Sequence, residues 1–406
     1  MDKPILIIGA GQAGLQIADS LRQDGFEGRV LLMGEEAYPP YQRPPLSKDF
    51  LAGLVSQDQL LLRSPEVLQR KNIELQTNAH IVRIDTSAQH VELSNGTRQE
   101  YSRLAFATGC RARPLPVPGA DLENVLTLRT LDDTKSLSKS LTHAQKLVVI
   151  GGGFIGLELA ATARGMGKEV TLLEGANRLM ARAVSPIISD YFLSYHKNQG
   201  VHIHLNAQVS ELRGDKGKVQ SVETKDGHSH KADLVIVGIG IIPNDEQAKS
   251  IGLMCHNGII VDACSRTSDP SIVSAGDCTV RKGTEPDQWL RLESVQNAVE
   301  QGKSAAAALM GRERPFTAAP WFWSDQYEVK LQMAGLSAGF DKTAIRGTIE
   351  SGSFSVFYFK AGKLLGADSV NQPKEHMATR RMLDKGVSPS LEQAQDLSFN
   401  FQTLLK

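Results

Sequence analysis

The sequence predicts an α/β protein with two Rossmann-like dinucleotide-binding domains and a small C-terminal α+β domain. Three observations carry this. The fingerprint Gly9-Ala10-Gly11-Gln12-Ala13-Gly14 follows the apolar run Ile5-Leu6-Ile7-Ile8. A second, Gly151-Gly152-Gly153-Phe154-Ile155-Gly156, follows Leu147-Val148-Val149-Ile150 about 140 residues later. Composition then changes at Pro320-Trp321-Phe322-Trp323, which opens a segment of alternating apolar residues. A length of 406 residues exceeds one ordinary core, and 41% apolar content can fill several.

Residues 5–8 form a short continuous apolar run, the pattern of a parallel strand buried on both faces. Residues 13–23 place Ala13, Ile17, Ala18 and Leu21 at helical spacing, and 29–33 form the next strand. The same order returns from Lys146, with a helix over 157–166 and a strand over 169–173, so one βαβ unit is duplicated. Between the copies, 91–103 reads as a β-ribbon turning at Ser94-Asn95-Gly96, and 104–109 as a strand ending on a glycine turn. Pro114, Pro116 and Pro118 make a stiff connector. Residues 232–240 parallel the earlier strand, and Pro243-Asn244 marks a crossover. Ser274-Ala275-Gly276-Asp277 precedes a helix over 294–310. In the tail, Phe354, Val356 and Tyr358 alternate as in a strand, and 375–385 reads as a helix. The expected domains are 1–113 with 244–318, then 114–243, then 319–406.

Charge excludes some classes. Lys plus Arg and Asp plus Glu both total 45, so nothing global favours nucleic acid or an anionic membrane. No apolar run reaches the ~18 residues of a membrane span. Met1-Asp2-Lys3-Pro4 enters a strand at once, without the regions of a signal peptide, and a cytoplasmic protein is expected. Cys110, Cys255, Cys264 and Cys278 are scattered without Cys-x-x-Cys spacing and read as structural thiols. His202-Ile203-His204 and His228-Ser229-His230 lack an acid or cysteine at ligand spacing, so they read as exposed strand and turn residues and no metal site is expected. No Ser/His/Asp or Cys/His grouping suggests covalent catalysis.

Each fingerprint has the physics of a pyrophosphate site. Gly9 permits a tight turn, Gly11 lets backbone approach phosphate, and Gly14 lets helix and strand pack closely. The helix N-terminus then offers unpaired N–H groups. Glu35 lies 21 positions after Gly14, just past a strand, where a carboxylate accepts from ribose hydroxyls. In the second copy Gly151, Gly153 and Gly156 repeat these roles, and Glu174 follows Gly156 by 18 positions. A carboxylate there repels a 2′-phosphate and favours NADH over NADPH; Arg178 and Arg182, close behind, would soften that preference. Two dinucleotides in one chain suggest hydride transfer between them.

With Ala107-Thr108-Gly109 at a strand end and the late Gly276-Asp277, this pattern resembles the FAD-dependent pyridine-nucleotide reductases of glutathione-reductase-like fold. Within that class the chain is most similar to the NADH:ferredoxin reductases of oxygenase electron-transfer chains, over essentially its whole length. The resemblance rests on Arg43-Pro44-Pro45-Leu46-Ser47-Lys48, Ser274-Ala275-Gly276-Asp277-Cys278, Arg291-Leu292-Glu293-Ser294-Val295, the segment Pro320-Trp321-Phe322-Trp323-Ser324-Asp325-Gln326-Tyr327, and Val370-Asn371-Gln372-Pro373.

The resemblance implies FAD in the first site and NADH in the second. Ala13 and Gly14 would face the FAD pyrophosphate, Glu35 the adenosine ribose, and Ile81 the adenine through its backbone. Arg43 and Lys48 would approach the isoalloxazine and phosphates, and Arg129 would contact the flavin. Asp277 would bind ribitol or pyrophosphate. Val295 would lie at the dimethyl end of the flavin, where a helix N-terminus stabilises charge on the reduced ring. For NADH, Gly153, Ile155 and Gly156 would take the pyrophosphate, Glu174 the ribose and Glu158 the nicotinamide region, with Gly240 near the nicotinamide half. Lys48 would pair with Glu158 near flavin N5, and hydride transfer would be helped by orientation. Trp323 would stand near the electron exit. The acceptor would be a small acidic [2Fe–2S] ferredoxin, docked transiently and serving a cytochrome P450 or a ring-hydroxylating Rieske oxygenase. Arg312, Arg314 and Lys330 are candidates for that docking.

Taken as residues alone, Arg43 and Lys48 also suit a solvated surface, Glu158 a helix surface, and Ile81 and Val295 a core. Trp321 suits a core better than a site. The segment from Tyr38 to Lys48 contains no cysteine, whereas disulfide reductases of this fold place a cysteine pair there. Electrons would therefore leave the flavin singly to an outside metal centre. A rubredoxin reductase, or a signalling NADH-binding flavoprotein similar to apoptosis-inducing factors, remains open as an alternative.

Overall fold

The computed structural model describes residues 3–283 and 288–405; Met1 and Asp2 of the N-terminal motif lie outside the described residues. Internal contacts divide the chain into two units. The first comprises Met1–Gln42, Gln57–Arg111 and Ile241–Ala318; the second comprises Arg43–Ser56, Ala112–Gly240 and Ala319–Lys406.

The first unit is built on a parallel sheet in the order Ile272–Ser274, Arg103–Phe106, Ile5–Ile8, Val30–Met33, Ile73–Gln76. Ile5–Ile8 is paired on both edges, and all four of its residues are buried, as its unbroken apolar run predicts. Helices Gln12–Gln23 and Val295–Leu309 share a core cluster with one face of this sheet. Small residues set their close approach: a Cβ on Gly302 would lie 2.8 Å from that of Gln16. Ile81, Val91 and Leu93 of an antiparallel ribbon pack with Leu6 and Ile8 on the other side.

The second unit repeats this plan. Its parallel sheet runs His202–Leu205, Glu169–Glu174, Lys146–Ile150, Leu234–Val237, Val125–Thr127. A ribbon of Val209–Asp215, Lys218–Thr224 and Ser229–Lys231 again covers one face. The duplication thus extends beyond the expected βαβ unit to the ribbon. The copies differ at one edge. The strand beside Arg103–Phe106 comes late in the chain, whereas Val125–Thr127 is laid down before the rest of its sheet.

Helices start earlier than their apolar spacing suggests, at Gln12 and Phe154, because the last glycine of each fingerprint sits inside the first turn. The tail forms an antiparallel sheet, Trp321–Gln326, Val329–Gly335, Lys363–Val370, Ser353–Lys360, Lys342–Thr348. Its alternation implies one wet face, yet Phe354–Phe359 are all buried. Phe357 and Phe359 pack with Ala378, Met382 and Phe401 of the C-terminal segment. On the other face Phe354 meets Tyr191, and Tyr358 bonds Ser185, both from the region of helix Pro186–Asn198.

All four cysteines are free thiols. His204 and His230 stack with centroids 4.7 Å apart, and among the described residues no group of three or more His, Cys, Asp or Glu could hold a metal ion. Among the described residues no helix is long and apolar enough to cross a membrane.

Candidate functional site

The two fingerprints close in the same way. Gly9 and Gly151 both have φ of +110°. A Cβ on Gly9 would lie 2.1 Å from the Ala107 carbonyl oxygen, and one on Gly151 would lie 2.4 Å from that of Gly238. Gly14 and Gly156 pack so tightly that a Cβ would fall 1.8 Å and 2.0 Å from the oxygens of Gly9 and Gly151. Gly11 and Gly153 are the opposite case: among the described residues nothing lies within 4 Å of an added Cβ. Each is the N-cap of its helix, without a side-chain cap among the described residues. First-turn amides have no intrahelical acceptor, so each turn presents N–H donors beside open space. The residues fit a pyrophosphate at both places. Ala13 is buried beside Gly276, whereas Ile155 is 39% exposed.

The two acids are held differently. The Glu35 side chain is exposed, with Oε1 2.8 Å from His80 Nδ1. Glu174 is fixed on its own fingerprint: Oε2 accepts from the Gly152 amide at 2.6 Å and Oε1 from the Ala176 amide at 2.7 Å. Arg178 donates to the carbonyls of Val184 and Ala181 in its own loop. Its guanidinium is therefore held within its own loop, with its positive charge unneutralised by these carbonyls. Arg182 lies near the strand end, with Nη2 3.6 Å from where a Gly240 Cβ would be. Gly240 has φ of +110°, and its carbonyl accepts from the Arg113 amide at 2.9 Å. Glu174→Ser is expected to shift the ratio of kcat/KM for NADPH over NADH upward by about 10–100-fold, since one negative charge is removed from the ribose position. Parallel steady-state assays with both nucleotides check this; an unchanged ratio would remove Glu174 from the ribose role.

Elsewhere in the first unit, Ile81 opens the strand Ile81–Asp85, and its carbonyl accepts from Gln247 Nε2 at 2.5 Å. Asp277 is half-buried after Gly276, with Cys110 Sγ 3.6 Å from Oδ2. Val295 is the first residue of its helix, whose N-cap Ser294 accepts from the Asn297 amide at 3.1 Å. Gln301, absent from the sequence-based site, organises this corner. Its Oε1 accepts from the Gly276 amide at 2.8 Å, Thr279 Oγ1 at 2.9 Å and Asn297 Nδ2 at 3.2 Å. The Gly276-Asp277 turn is thereby tied to the helix.

In the second unit, Arg43 caps the short 3-10 helix Pro44–Ser47 and donates to the Arg129 carbonyl at 2.6 Å. Arg129 precedes the capping box of Thr130 and Asp133, which also holds its amide. Lys48 ends the turn. Its Nζ lies 2.9 Å from Glu158 Oε2 on helix Phe154–Gly165, with the two side chains only 17% and 7% exposed. Two serines complete the cluster. Ser47 Oγ donates to Glu158 Oε2 at 2.5 Å and Ser324 Oγ to Oε1 at 2.7 Å. One turn further on, Thr162 Oγ1 donates to the Ser47 carbonyl at 2.8 Å and ties the turn to the helix. Glu158 is thus a buried carboxylate with both oxygens occupied, and not a helix-surface acid. Ser47 and Ser324 lie inside the motifs Arg43–Lys48 and Pro320–Tyr327, but nothing in their spacing singles them out.

Trp323 is half-buried in the strand Trp321–Gln326, its ring 5.6 Å from Trp321 and 6.4 Å from Phe322. Phe322 meets Phe154, the first residue of the Glu158 helix, at 4.7 Å. Trp321, expected in a core, is half-buried with the Arg380 guanidinium 4.5 Å over its ring. Arg312, Arg314 and Lys330 are exposed.

Two glycine-cradled nucleotide turns on repeated parallel sheets define a dinucleotide oxidoreductase, and the chain belongs to the pyridine nucleotide-disulphide oxidoreductase family, whose model matches residues 3–302. A reductase C-terminal model matches residues 321–405. The chain is 46% identical to rhodocoxin reductase of Rhodococcus erythropolis over 398 residues, covering 98% of this chain and 93% of that protein. It is 42% identical to putidaredoxin reductase of Pseudomonas putida, covering 93% and 91%. Among solved structures, the ferredoxin reductase for the CYP199A2 system of Rhodopseudomonas palustris superposes with a TM-score of 0.96 at 44% identity, covering 100% of both chains.

Proposed function

We propose that the chain is an FAD-dependent NADH:ferredoxin oxidoreductase whose [2Fe–2S] ferredoxin feeds a cytochrome P450 or a ring-hydroxylating oxygenase. The observation that carries this is the matched pair of open cradles at Gly11 and Gly153, in a chain with no cysteine between Tyr38 and Lys48. FAD, when bound, would supply the redox chemistry between NADH and a one-electron acceptor. The chain's own residues bind and orient. The FAD-binding domain is 1–113 with 244–318, the NAD-binding domain 114–243, and the C-terminal reductase domain 319–406. Gly9, Gly11, Ala13, Gly14, Glu35, Ile81, Asp277 and Val295 hold FAD, with Arg43 and Arg129. Gly151, Gly153, Ile155, Gly156, Glu174 and Gly240 hold NADH. Lys48 keeps a cation on the Glu158 carboxylate, and the pair acts on hydride transfer. Trp323 serves electron exit, and Arg312, Arg314 and Lys330 draw an acidic ferredoxin. The setting is cytoplasmic.

The test is rapid mixing with NADH. Lys48→Met and Glu158→Ala are each expected to slow flavin reduction about tenfold or more, since each breaks at least the charge-assisted hydrogen bond between Lys48 and Glu158. If both leave the rate and the flavin potential untouched, the assignment is wrong. Ferredoxin reduction is expected to slow as salt rises from ~10 mM to ~0.5 M, because attraction across several ångströms is screened. A rubredoxin reduced faster than any [2Fe–2S] ferredoxin would move the chain to the rubredoxin reductases.

A further inference from the structure

Beyond Glu158 the polar contacts continue into the protein. Ser324 Oγ, donor to Glu158 Oε1, stands 3.2 Å from Gln326 Nε2. Gln326 Oε1 stands 2.8 Å from His196 Nε2 on helix Pro186–Asn198. Ser324, Gln326 and His196 are all fully buried. Hydrogen-bond chemistry then fixes the direction of the whole chain. A carboxylate only accepts, so Ser324 gives its single proton to Glu158. The Ser324 oxygen must in turn accept, and only the amide nitrogen of Gln326 can donate. Gln326 therefore faces His196 with its carbonyl oxygen, and His196 carries its proton on Nε2.

We propose that Ser324, Gln326 and His196 are positioning residues, a one-way buried chain that orients Glu158 and reserves its Oε2 for Ser47 and Lys48. The chain rests on the reading of Glu158 given above. Two further facts agree with it. Burial lowers the pKa of His196, which keeps the ring neutral, and its Nδ1 has no hydrogen-bond partner among the described residues. A lone pair left bare there is consistent with the proton residing on Nε2. The charge on Glu158 and the tautomer of His196, three hydrogen bonds away, are thus linked, because reversing any one bond reverses all.

Two measurements test this. Nitrogen-15 spectra of histidine-labelled protein, with His196 assigned through His196→Gln, are expected to show the Nε2–H tautomer at pH 7. A Nδ1–H tautomer or a charged ring overturns the proposal. This reading needs neither NADH nor ferredoxin, so it stands or falls apart from the Lys48 and Glu158 variants. The second is a double-mutant cycle on flavin reduction and on NAD⁺ affinity in the holoenzyme. Ser324→Ala is expected to lower the reduction rate about tenfold in the native background and to change nothing further in Glu158→Ala. An equal effect in both backgrounds, or none in the first, overturns the positioning role. If Ser324→Ala misfolds, Gln326→Leu takes its place in the same cycle, with the same two outcomes.

Discussion

Gly11→Asp is expected to yield a colourless protein, and Gly153→Asp a yellow one that NADH no longer reduces. Both positions have ordinary negative φ, and among the described residues nothing lies within 4 Å of an added Cβ. An aspartate is therefore accommodated without moving backbone, and folding is retained. Its carboxylate occupies the space where the cradle leaves room for phosphate, in front of amides that already favour an anion. At about 4 Å and an effective dielectric constant of about 20, one such charge pair costs roughly 4 kcal/mol, close to three orders of magnitude in affinity. The same argument separates these variants from Gly14→Ala, whose Cβ would fall 1.8 Å from the Gly9 oxygen. That change fails by collision and disrupts the turn itself. The visible spectrum of the purified protein and its bleaching by NADH read the outcome, with circular dichroism as the check on folding. A flavin lost from Gly153→Asp and kept by Gly11→Asp would reverse the assignment of the two sites.

What was legible in the sequence was local. Ile5–Ile8 and Leu147–Ile150 announce buried central strands because nothing polar interrupts them, and the glycines that follow have a steric reason at each position. Glu174 was legible because strand length fixes where the ribose acid falls. The surroundings of Glu158 were not. Ser47 is 111 residues away and Ser324 is 166 away, and a serine carries no periodicity that marks what it will bond. The Gln326–His196 contact spans 130 residues and depends on the tail sheet packing beside helix Pro186–Asn198. The strand Ser353–Lys360 misled for a related reason: Ser355 falls on a buried face and bonds Ser369, so polarity there does not mean water. Propensity and patterning see one element at a time, whereas a buried polar cluster is assembled from several.

Asp368→Asn is expected to stabilise the protein at pH 8 by up to about 4 kcal/mol, with the gain vanishing near pH 4. Asp368 is buried in the strand Lys363–Val370, 2.6 Å from the Tyr358 hydroxyl, which lies 2.9 Å from Ser185 Oγ. Burial pushes the Asp368 carboxyl up to about 7 and raises the Tyr358 phenol as well. In the neutral form the acid can donate to Tyr358, which then donates to Ser185. The folded protein thus holds a proton that the unfolded chain, titrating near 3.9, has released. For an acid raised in this way the contribution is full below the unfolded value and is lost as pH rises towards 7. His376 has the opposite slope. Burial, and secondarily Arg380, lowers it to about 4, so its contribution grows as pH rises from about 4 to 6.5. The two offset each other over that range in the native chain, which hides both. Asp368→Asn keeps a donor towards Tyr358 and removes only the falling term, so the variant is expected to gain stability steadily from pH 4 to 7. His376→Gln leaves the falling term alone and is expected to lose stability over the same range. Denaturant midpoints at several pH values, followed through the emission of Trp321 and Trp323, measure both. A variant that matches the native chain at pH 8 would show that the fold holds the Asp368 carboxylate at no cost, with Ser185 donating to Tyr358 and Tyr358 to the carboxylate.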